Sequence, residues 1–219
     1  MNVEKARFNM VEQQIRPCES LDLEMRELLL SVKREAYVPA AYRGLAFADV
    51  EIPLANAPGA IMLEPKVEAK IMNALRLKKT DRVLEIGTGS GFMAALMAAR
   101  AEHVYSVELL PALAVLAQAN LKRQGVANVT VEEGDGAHGW STHAPYDVIV
   151  LSGSTPRLPE ALLKQLKPGG RLFAVVGEAP AMEAQLVTNA GEGRYRTVNL
   201  FETSVPPLSN AELCEAFTF

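Results

Sequence analysis

The segment that most constrains the fold of this chain is DRVLEIGTGSGFMAALMAA, residues 81–99. A short apolar run comes first, glycines follow at positions 87, 89 and 91, and a second apolar run of helix-favouring residues comes after them. This order predicts a buried strand, a tight glycine turn and the N-terminus of a helix. Because such a turn brings backbone N–H groups close to a bound molecule, the segment predicts a small-molecule site.

The residues that follow alternate between apolar runs and helix-like patterns, which is typical of a parallel sheet covered by helices on both faces. The predicted strands cover residues 82–86, 103–108, 128–133, 146–153 and 171–177, with helices at 111–124 and 158–167. Two more candidates, 183–189 and 195–201, are joined by a short glycine-rich link and predict a hairpin at one sheet edge. We therefore expect an α/β fold with a doubly wound, mostly parallel, seven-stranded Rossmann-like sheet.

The residues before this sheet predict helices and loops rather than strands. Helices are expected at 3–16, 22–35 and 65–77, and the stretch 38–60 is rich in loop-forming proline and glycine. We predict an N-terminal helical and loop segment, residues 1–78, that covers the active site. Residues 79–219 would form the ligand-binding core with the C-terminal hairpin and a tail.

Bulk composition argues against several classes of function. A net charge of −4 and a pI near 5.5 argue against a nucleic-acid partner, because phosphate contacts need clustered Lys and Arg. The longest apolar runs, such as residues 92–99, fall well short of the roughly 20 residues of a membrane-spanning helix. The N-terminus lacks the apolar region of a secretory signal, and Cys18 and Cys214 show no metal-ligand spacing. We expect a soluble cytoplasmic protein without a metal or a membrane partner.

Glu85 discriminates between the ligands that a glycine turn can hold. The spacing Gly87-x-Gly89-x-Gly91 departs from the dinucleotide pattern G-x-G-x-x-G, which alone is weak evidence. A carboxylate at the end of the first strand, two residues before the turn, would repel the phosphates of a dinucleotide. S-adenosylmethionine (SAM) carries an ammonium and a sulfonium and no phosphate. Glu85 can hold its amino-acid end, directly or through water, while turn N–H groups take its carboxylate.

Acidic residues also end the next two predicted strands. Glu108 is placed to accept hydrogen bonds from two ribose hydroxyls, which suits either ligand. Asp135, between two glycines, can reach an adenine amino group; the alternative is that it only caps a tight turn. The predicted cofactor-binding residues are Glu85, Gly87, Thr88, Gly89, Ser90, Gly91, Glu108, Leu109, Asp135 and Gly136.

These motifs together resemble those of the protein-L-isoaspartate O-methyltransferase family. The matching segments are VLEIGTGSGF (83–92), VYSVE (104–108), NVTVEEGDGAHGW (128–140), APYDVIVLSG (144–153) and LKPGGRLFAVVG (166–177). The resemblance runs from about residue 20 to residue 180, and GDGxxGW (134–140) is its most specific block. It implies a class I methyltransferase fold and an O-methyltransferase that uses SAM and releases S-adenosyl-L-homocysteine. The substrate implied is the misplaced carboxylate of isoaspartyl residues in damaged proteins, whose repair the esterification begins.

The chain departs from the family at the segment IMLEP (61–65). The family usually has T-I-S-x-P there, and its hydroxyls line the active site. Ile61 stands at the Thr position and Leu63 at the Ser position, so no catalytic residue is assigned. The predicted substrate-lining residues are Ile61, Met62 and Leu63, with Met62 and Leu63 over the methyl group, and Ser152.

Other acceptors remain open at this point. An apolar wall suits a neutral small molecule or a tRNA base, and a SAM-binding protein without catalysis is a further alternative. The loop SGSTP (152–156) lacks the Asn-Pro-Pro-aromatic sequence of enzymes that methylate base amines. VPPL (205–208) lies well after the fifth strand and is not expected to replace it. The tail, 200–219, predicts a lid or a homodimer contact, or packing of Phe217 and Phe219 on the core.

Overall fold

The computed structural model describes residues 2–19, 21–54 and 57–211; Cys214, Phe217 and Phe219 lie outside them. The helices are α1 (Val3–Asn9), α2 (Leu23–Ser31), α3 (Pro65–Leu75), α4 (Phe92–Ala98), α5 (Pro111–Arg123) and α6 (Glu160–Lys164). The strands are β1 (Ile52–Pro53), β2 (Ile61–Met62), β3 (Arg82–Ile86), β4 (His103–Glu108), β5 (Val129–Glu133), β6 (Tyr146–Thr155), β7 (Leu166–Glu178), β8 (Ala181–Gly191) and β9 (Arg194–Glu202). Among these residues, no helix has the length and apolar character needed to cross a bilayer.

The seven-stranded sheet has the order β5-β4-β3-β6-β7-β8-β9. Strands β3 to β7 pair in parallel, whereas β8 and β9 add an antiparallel hairpin at one edge. The order reverses where β3 lies between β4 and β6, so the carboxyl ends of these strands open a crevice there. The predicted fold class and the edge hairpin are confirmed.

Alternation along the strands builds a core on both faces of the sheet. Val83 packs with the N-terminal helices and α4, and Leu84 packs on the other face with Leu162 of α6. The first of these clusters also includes Met10 and Ile15, so the N-terminal helices share a continuous apolar core with one face of the sheet.

Several helices are shorter than the sequence pattern predicts. The first α-helix ends at Asn9 and continues as a π-helix over Met10–Ile15 before Pro17. The second begins at the Asp22 cap, whose side chain accepts the Met25 N–H at 2.7 Å, and it ends where Val32 becomes extended. The predicted helix 158–167 is reduced to α6 because Leu166 already pairs with Tyr146 in the sheet.

Candidate cofactor site

A cavity of about 350 Å³ opens at the carboxyl ends of β3, β4, β5 and β6. It is lined by the glycine turn, the loops after β4 and β5, residues 152–153 of β6, Leu54, and residues 58–61 and 206–209. Of the predicted site residues, the structure brings Gly87, Gly89, Glu108, Leu109, Asp135, Gly136, Ile61 and Ser152 to this cavity. Among the described residues that line it, the only charged side chains are Glu108 and Asp135.

The three glycines of the turn adopt the left-handed backbone region. Their φ values are 94° at Gly87, 54° at Gly89 and 82° at Gly91, a conformation that L side chains rarely adopt. A Cβ on Gly89 would lie 3.2 Å from Leu54 Cδ1, which brings the N-terminal segment against the turn. Gly91 caps α4, and its N–H donates to the Thr88 carbonyl at 2.9 Å. The turn therefore exposes backbone where a side chain would otherwise stand.

Glu108 joins the end of β4 to this turn. One carboxylate oxygen accepts the N–H of Gly89 at 2.9 Å, and the other accepts the N–H of Leu110 at 3.0 Å. The residue is only 6% exposed, yet it lines the cavity. Since each carboxylate oxygen can accept a second hydrogen bond, Glu108 has capacity left for ligand hydroxyls.

Glu85 lies behind the cavity wall, whereas the sequence analysis expected it to meet the ligand directly or through water. Its side chain is 0% exposed, and it accepts hydrogen bonds from Ser106 at 2.6 Å and Ser152 at 3.0 Å. Burial, with smaller contributions from the charges of Glu108 and Glu68, raises the pKa of Glu85 to about 8. At neutral pH this carboxyl group is therefore mostly protonated.

This raised pKa makes stability depend on pH. The free energy of unfolding should fall as pH rises from about 4.5 to about 8, because folded Glu85 keeps a proton that the unfolded chain loses. Glu85→Gln should remove this contribution, on the order of 5 kcal/mol between these limits. Denaturant titrations at both ends of the range measure it, with Glu133→Gln, at an exposed residue, as the control. An equal pH slope in wild type and Glu85→Gln would contradict the assignment.

Asp135 follows β5, caps the turn there and also lines the cavity. One oxygen caps the turn by accepting the Ala137 N–H at 3.0 Å, and the other accepts the side-chain amide of Asn210 at 3.0 Å. A Cβ on Gly136 would lie 2.5 Å from Ile86 Cδ1, so this glycine lets the loop pass close to β3. The carboxylate of Asp135 remains at the cavity, where a ligand amine can reach it.

The predicted acceptor-lining residues divide into two groups. Ile61 and Ser152 line the cavity. Met62 and Leu63 are buried at 4% and 8% exposure in the core, and their side chains are not part of its lining. The carbonyl of Leu63 accepts a hydrogen bond from Arg34 at 2.7 Å.

Thr88, Ser90 and Gly91 shape the turn from inside the fold. The Thr88 hydroxyl lies 2.6 Å from that of Ser106, and the Ser90 carbonyl accepts the Asn120 amide at 2.9 Å. Ala117 Cβ would lie 3.3 Å from a Cβ on Gly91. These residues support the cavity rather than line it.

The sequence analysis gave a lid as one alternative for the tail 200–219, but it did not place the segment 205–209, called here the C-terminal strap, beside the loop after the fourth predicted strand. Ser154 N–H donates to the Pro206 carbonyl at 2.9 Å, and Leu208 N–H donates to the Ser154 carbonyl at 2.8 Å. The strap thus lies against the end of β6. The sequence analysis did not expect it there, because the strap is distant in sequence from this strand. The repeated prolines and Leu208 were the available signal, but long-range contact cannot be read from them.

Comparison with known proteins identifies relatives over nearly the whole chain. The model of the protein-L-isoaspartate(D-aspartate) O-methyltransferase family matches residues 6–212. Protein-L-isoaspartate O-methyltransferase 2 of Pelobacter propionicus is 40% identical over 212 residues, which are 96% of this chain and 93% of the relative. Protein-L-isoaspartate O-methyltransferase of Rhodopseudomonas palustris is 39% identical over 204 residues, 93% of each chain.

Solved structures agree with the fold. A structure described as protein-L-isoaspartate O-methyltransferase gives a TM-score of 0.78 at 25% identity, covering 95% of this chain and 66% of that chain. A Plasmodium falciparum structure described under the same enzyme name, in complex with S-adenosyl-L-homocysteine, also gives a TM-score of 0.78. Its identity is 19%, with 93% of this chain and 98% of that chain covered, so this likeness concerns the fold.

Proposed function

Because the chain belongs to the protein-L-isoaspartate(D-aspartate) O-methyltransferase family, we propose that it methylates the misplaced carboxylate of isoaspartyl residues in damaged proteins, using SAM. The observation that carries the proposal is the extent of the family match, residues 6–212. Every residue that lines the cavity falls within it. The site and the family therefore both support methyl transfer from SAM.

The cavity fits SAM by the chemistry of its donors and acceptors. A carboxylate, Glu108, stands at the end of the second parallel strand with free acceptor capacity for two ribose hydroxyls. Asp135 offers an acceptor for the adenine amino group, and the turn at Gly87 and Gly89 leaves room that a Cβ would fill. We assign the adenosine half to Glu108 and Asp135, and the amino-acid end to the side of the turn.

The protein's contribution to methyl transfer is alignment and exclusion of water. SAM supplies an electrophilic methyl group on a sulfonium, and a carboxylate is already a nucleophile at neutral pH, so no general base is required. Holding the reacting groups in line is worth about 7–11 kcal/mol. Ile61 and segment 58–60 line this space, and so do residues 206–209 of the C-terminal strap.

The lost hydroxyls should slow the reaction without abolishing it, since one hydrogen bond to a charged group is worth about 1.5–3 kcal/mol. Ile61 lines the cavity at the family's Thr position, so Ile61→Thr restores one hydroxyl. We expect it to raise kcat/KM for an isoaspartyl peptide by about tenfold or more over Ile61→Val, which matches its shape.

The assay uses methyl-labelled SAM, an isoaspartyl peptide and the normal aspartyl peptide as control, with base-labile methyl ester as the product. Label on the isoaspartyl peptide alone supports the proposed function. Equal rates for Ile61→Thr and Ile61→Val would mean that a hydroxyl at this position does not reach the acceptor. No label with any variant, while SAM binding is measured in the same preparation, would overturn the isoaspartyl substrate.

One observation favours a second candidate, a neutral small-molecule acceptor. The described residues of the cavity include no cation to pair with an acceptor carboxylate, and Ile61 presents an apolar wall. If the isoaspartyl peptide is not methylated, a cell extract depleted of protein and then of RNA distinguishes a small molecule from a tRNA base.

We also propose that the protein is cytoplasmic and forms a homodimer. Cys18 is an exposed free thiol, which suits a reducing cytoplasm. A homodimer is the assembly that we propose to test, by sedimentation of the full chain.

A further inference from the structure

A chain of hydrogen-bonded side chains runs from inside the fold to the wall of the cavity. The Thr88 hydroxyl lies 2.6 Å from that of Ser106, Ser106 donates to Glu85 at 2.6 Å, and Ser152 donates to the other oxygen of Glu85 at 3.0 Å. Thr88, Ser106 and Glu85 are buried, whereas Ser152 lines the cavity. Ser152 is therefore where this chain can meet a ligand.

Glu85 has no cation as a direct partner among the described residues, although it is fully buried. The charged groups that act on it are Glu108 at the end of β4 and Glu68 on α3, both acidic. Glu68 is itself paired with Arg34. Burial and these two charges raise the pKa of Glu85 to about 8, and the hydroxyls of Ser106 and Ser152 only partly oppose the shift. A cation that approached Glu85 would favour its charged form.

We propose that Ser152 is a positioning residue that links the ammonium of the cofactor's amino-acid end to Glu85, and that cofactor binding drives the proton of Glu85 into solvent. This inference rests on the proposed function, because it requires SAM or its product in the cavity. A hydroxyl can donate one hydrogen bond and accept others, so Ser152 can donate to the Glu85 carboxylate while accepting from the ammonium.

The proton balance is simple. The O–H bond of Glu85 breaks, its proton passes to the buffer, and the ammonium keeps its three protons. A cation near Glu85 favours the charged carboxylate, so the bound state holds fewer protons than the free protein. By linkage, affinity rises with pH up to the pKa of the free protein and then levels off.

Calorimetry of S-adenosyl-L-homocysteine binding tests this in two buffers of low and high ionisation enthalpy, at neutral pH. The wild type should release close to one proton for each molecule bound. Glu85→Gln should release none. Ser152→Ala should bind S-adenosyl-L-homocysteine about tenfold more weakly and release fewer protons. Ser152→Thr keeps the hydroxyl and should behave as the wild type. The matched control is Ser141→Ala, at an exposed serine.

5′-Methylthioadenosine, which keeps the adenosine half and lacks the amino-acid end, should bind without proton release. Binding heats of the wild type that do not depend on the buffer would overturn the inference, and so would full proton release from Ser152→Ala. Failure of the wild type to bind S-adenosyl-L-homocysteine at all would overturn the proposed function and this inference with it. Binding without proton release would overturn the inference alone.

Discussion

Glu108→Ala is expected to weaken SAM binding by about 100-fold or more. The carboxylate holds the N–H groups of Gly89 and Leu110, and its remaining acceptor capacity is assigned to two ribose hydroxyls. Each hydrogen bond to a charged group is worth about 1.5–3 kcal/mol, so losing two costs about 3 kcal/mol or more. Calorimetry with SAM, or with S-adenosyl-L-homocysteine, measures the change.

The matched control is Glu133→Ala. Glu133 ends the neighbouring strand and pairs in register with Glu108, but it is exposed and lies outside the lining of the cavity. Its removal should leave SAM affinity within about twofold, as for an ordinary surface change. Similar losses of SAM affinity in both variants would show that negative charge at the strand ends, rather than Glu108 itself, holds the cofactor.

The fold was predictable because its signals are local. Each parallel strand is a short apolar run followed by a helix pattern or a turn, and the glycines at 87, 89 and 91 need the left-handed backbone that the structure gives them. Helix ends were less predictable. The helix expected at 158–167 ends early because Leu166 joins the sheet, and pairing partners distant in sequence do not appear in a local pattern.

The site was predictable only in part, for the same reason. Glu108 and Asp135 could be placed because they follow strands whose carboxyl ends must meet. Glu85 ends such a strand too, but its burial behind Ser152 depends on how β6 pairs with β3. The C-terminal strap arrives from a part of the chain that local patterning does not connect with the site. The division at residue 78 stays a prediction.

A buried ion pair that the sequence analysis did not identify predicts the second large effect. Arg34 and Glu68 are paired with side chains only 1% and 4% exposed, and the Arg34 guanidinium lies 5.2 Å from the Phe92 ring centroid. Arg34→Met leaves Glu68 buried without its cation, which should cost about 3–5 kcal/mol of stability. Thermal unfolding should show this as a fall in Tm of about 6–20 °C. The exposed pair Glu160–Lys164 is the control, because Lys164→Met should leave Tm nearly unchanged.

Replacing both partners separates the charge from the packing. Arg34→Met with Glu68→Met should recover most of the lost stability, because the penalty of the single variant comes from an uncompensated buried charge. Burial raises the pKa of Glu68 to about 7 even with Arg34 present, so the single variant should be less destabilised at pH 5, where Glu68 is protonated.

The double variant still lacks the donor that Arg34 gives to the Leu63 carbonyl, beside the acceptor wall. Stability should therefore return while methyl transfer remains slower than in the wild type. A double variant as unstable as Arg34→Met would mean that the guanidinium stabilises the fold through Leu63 and Phe92, and not through Glu68.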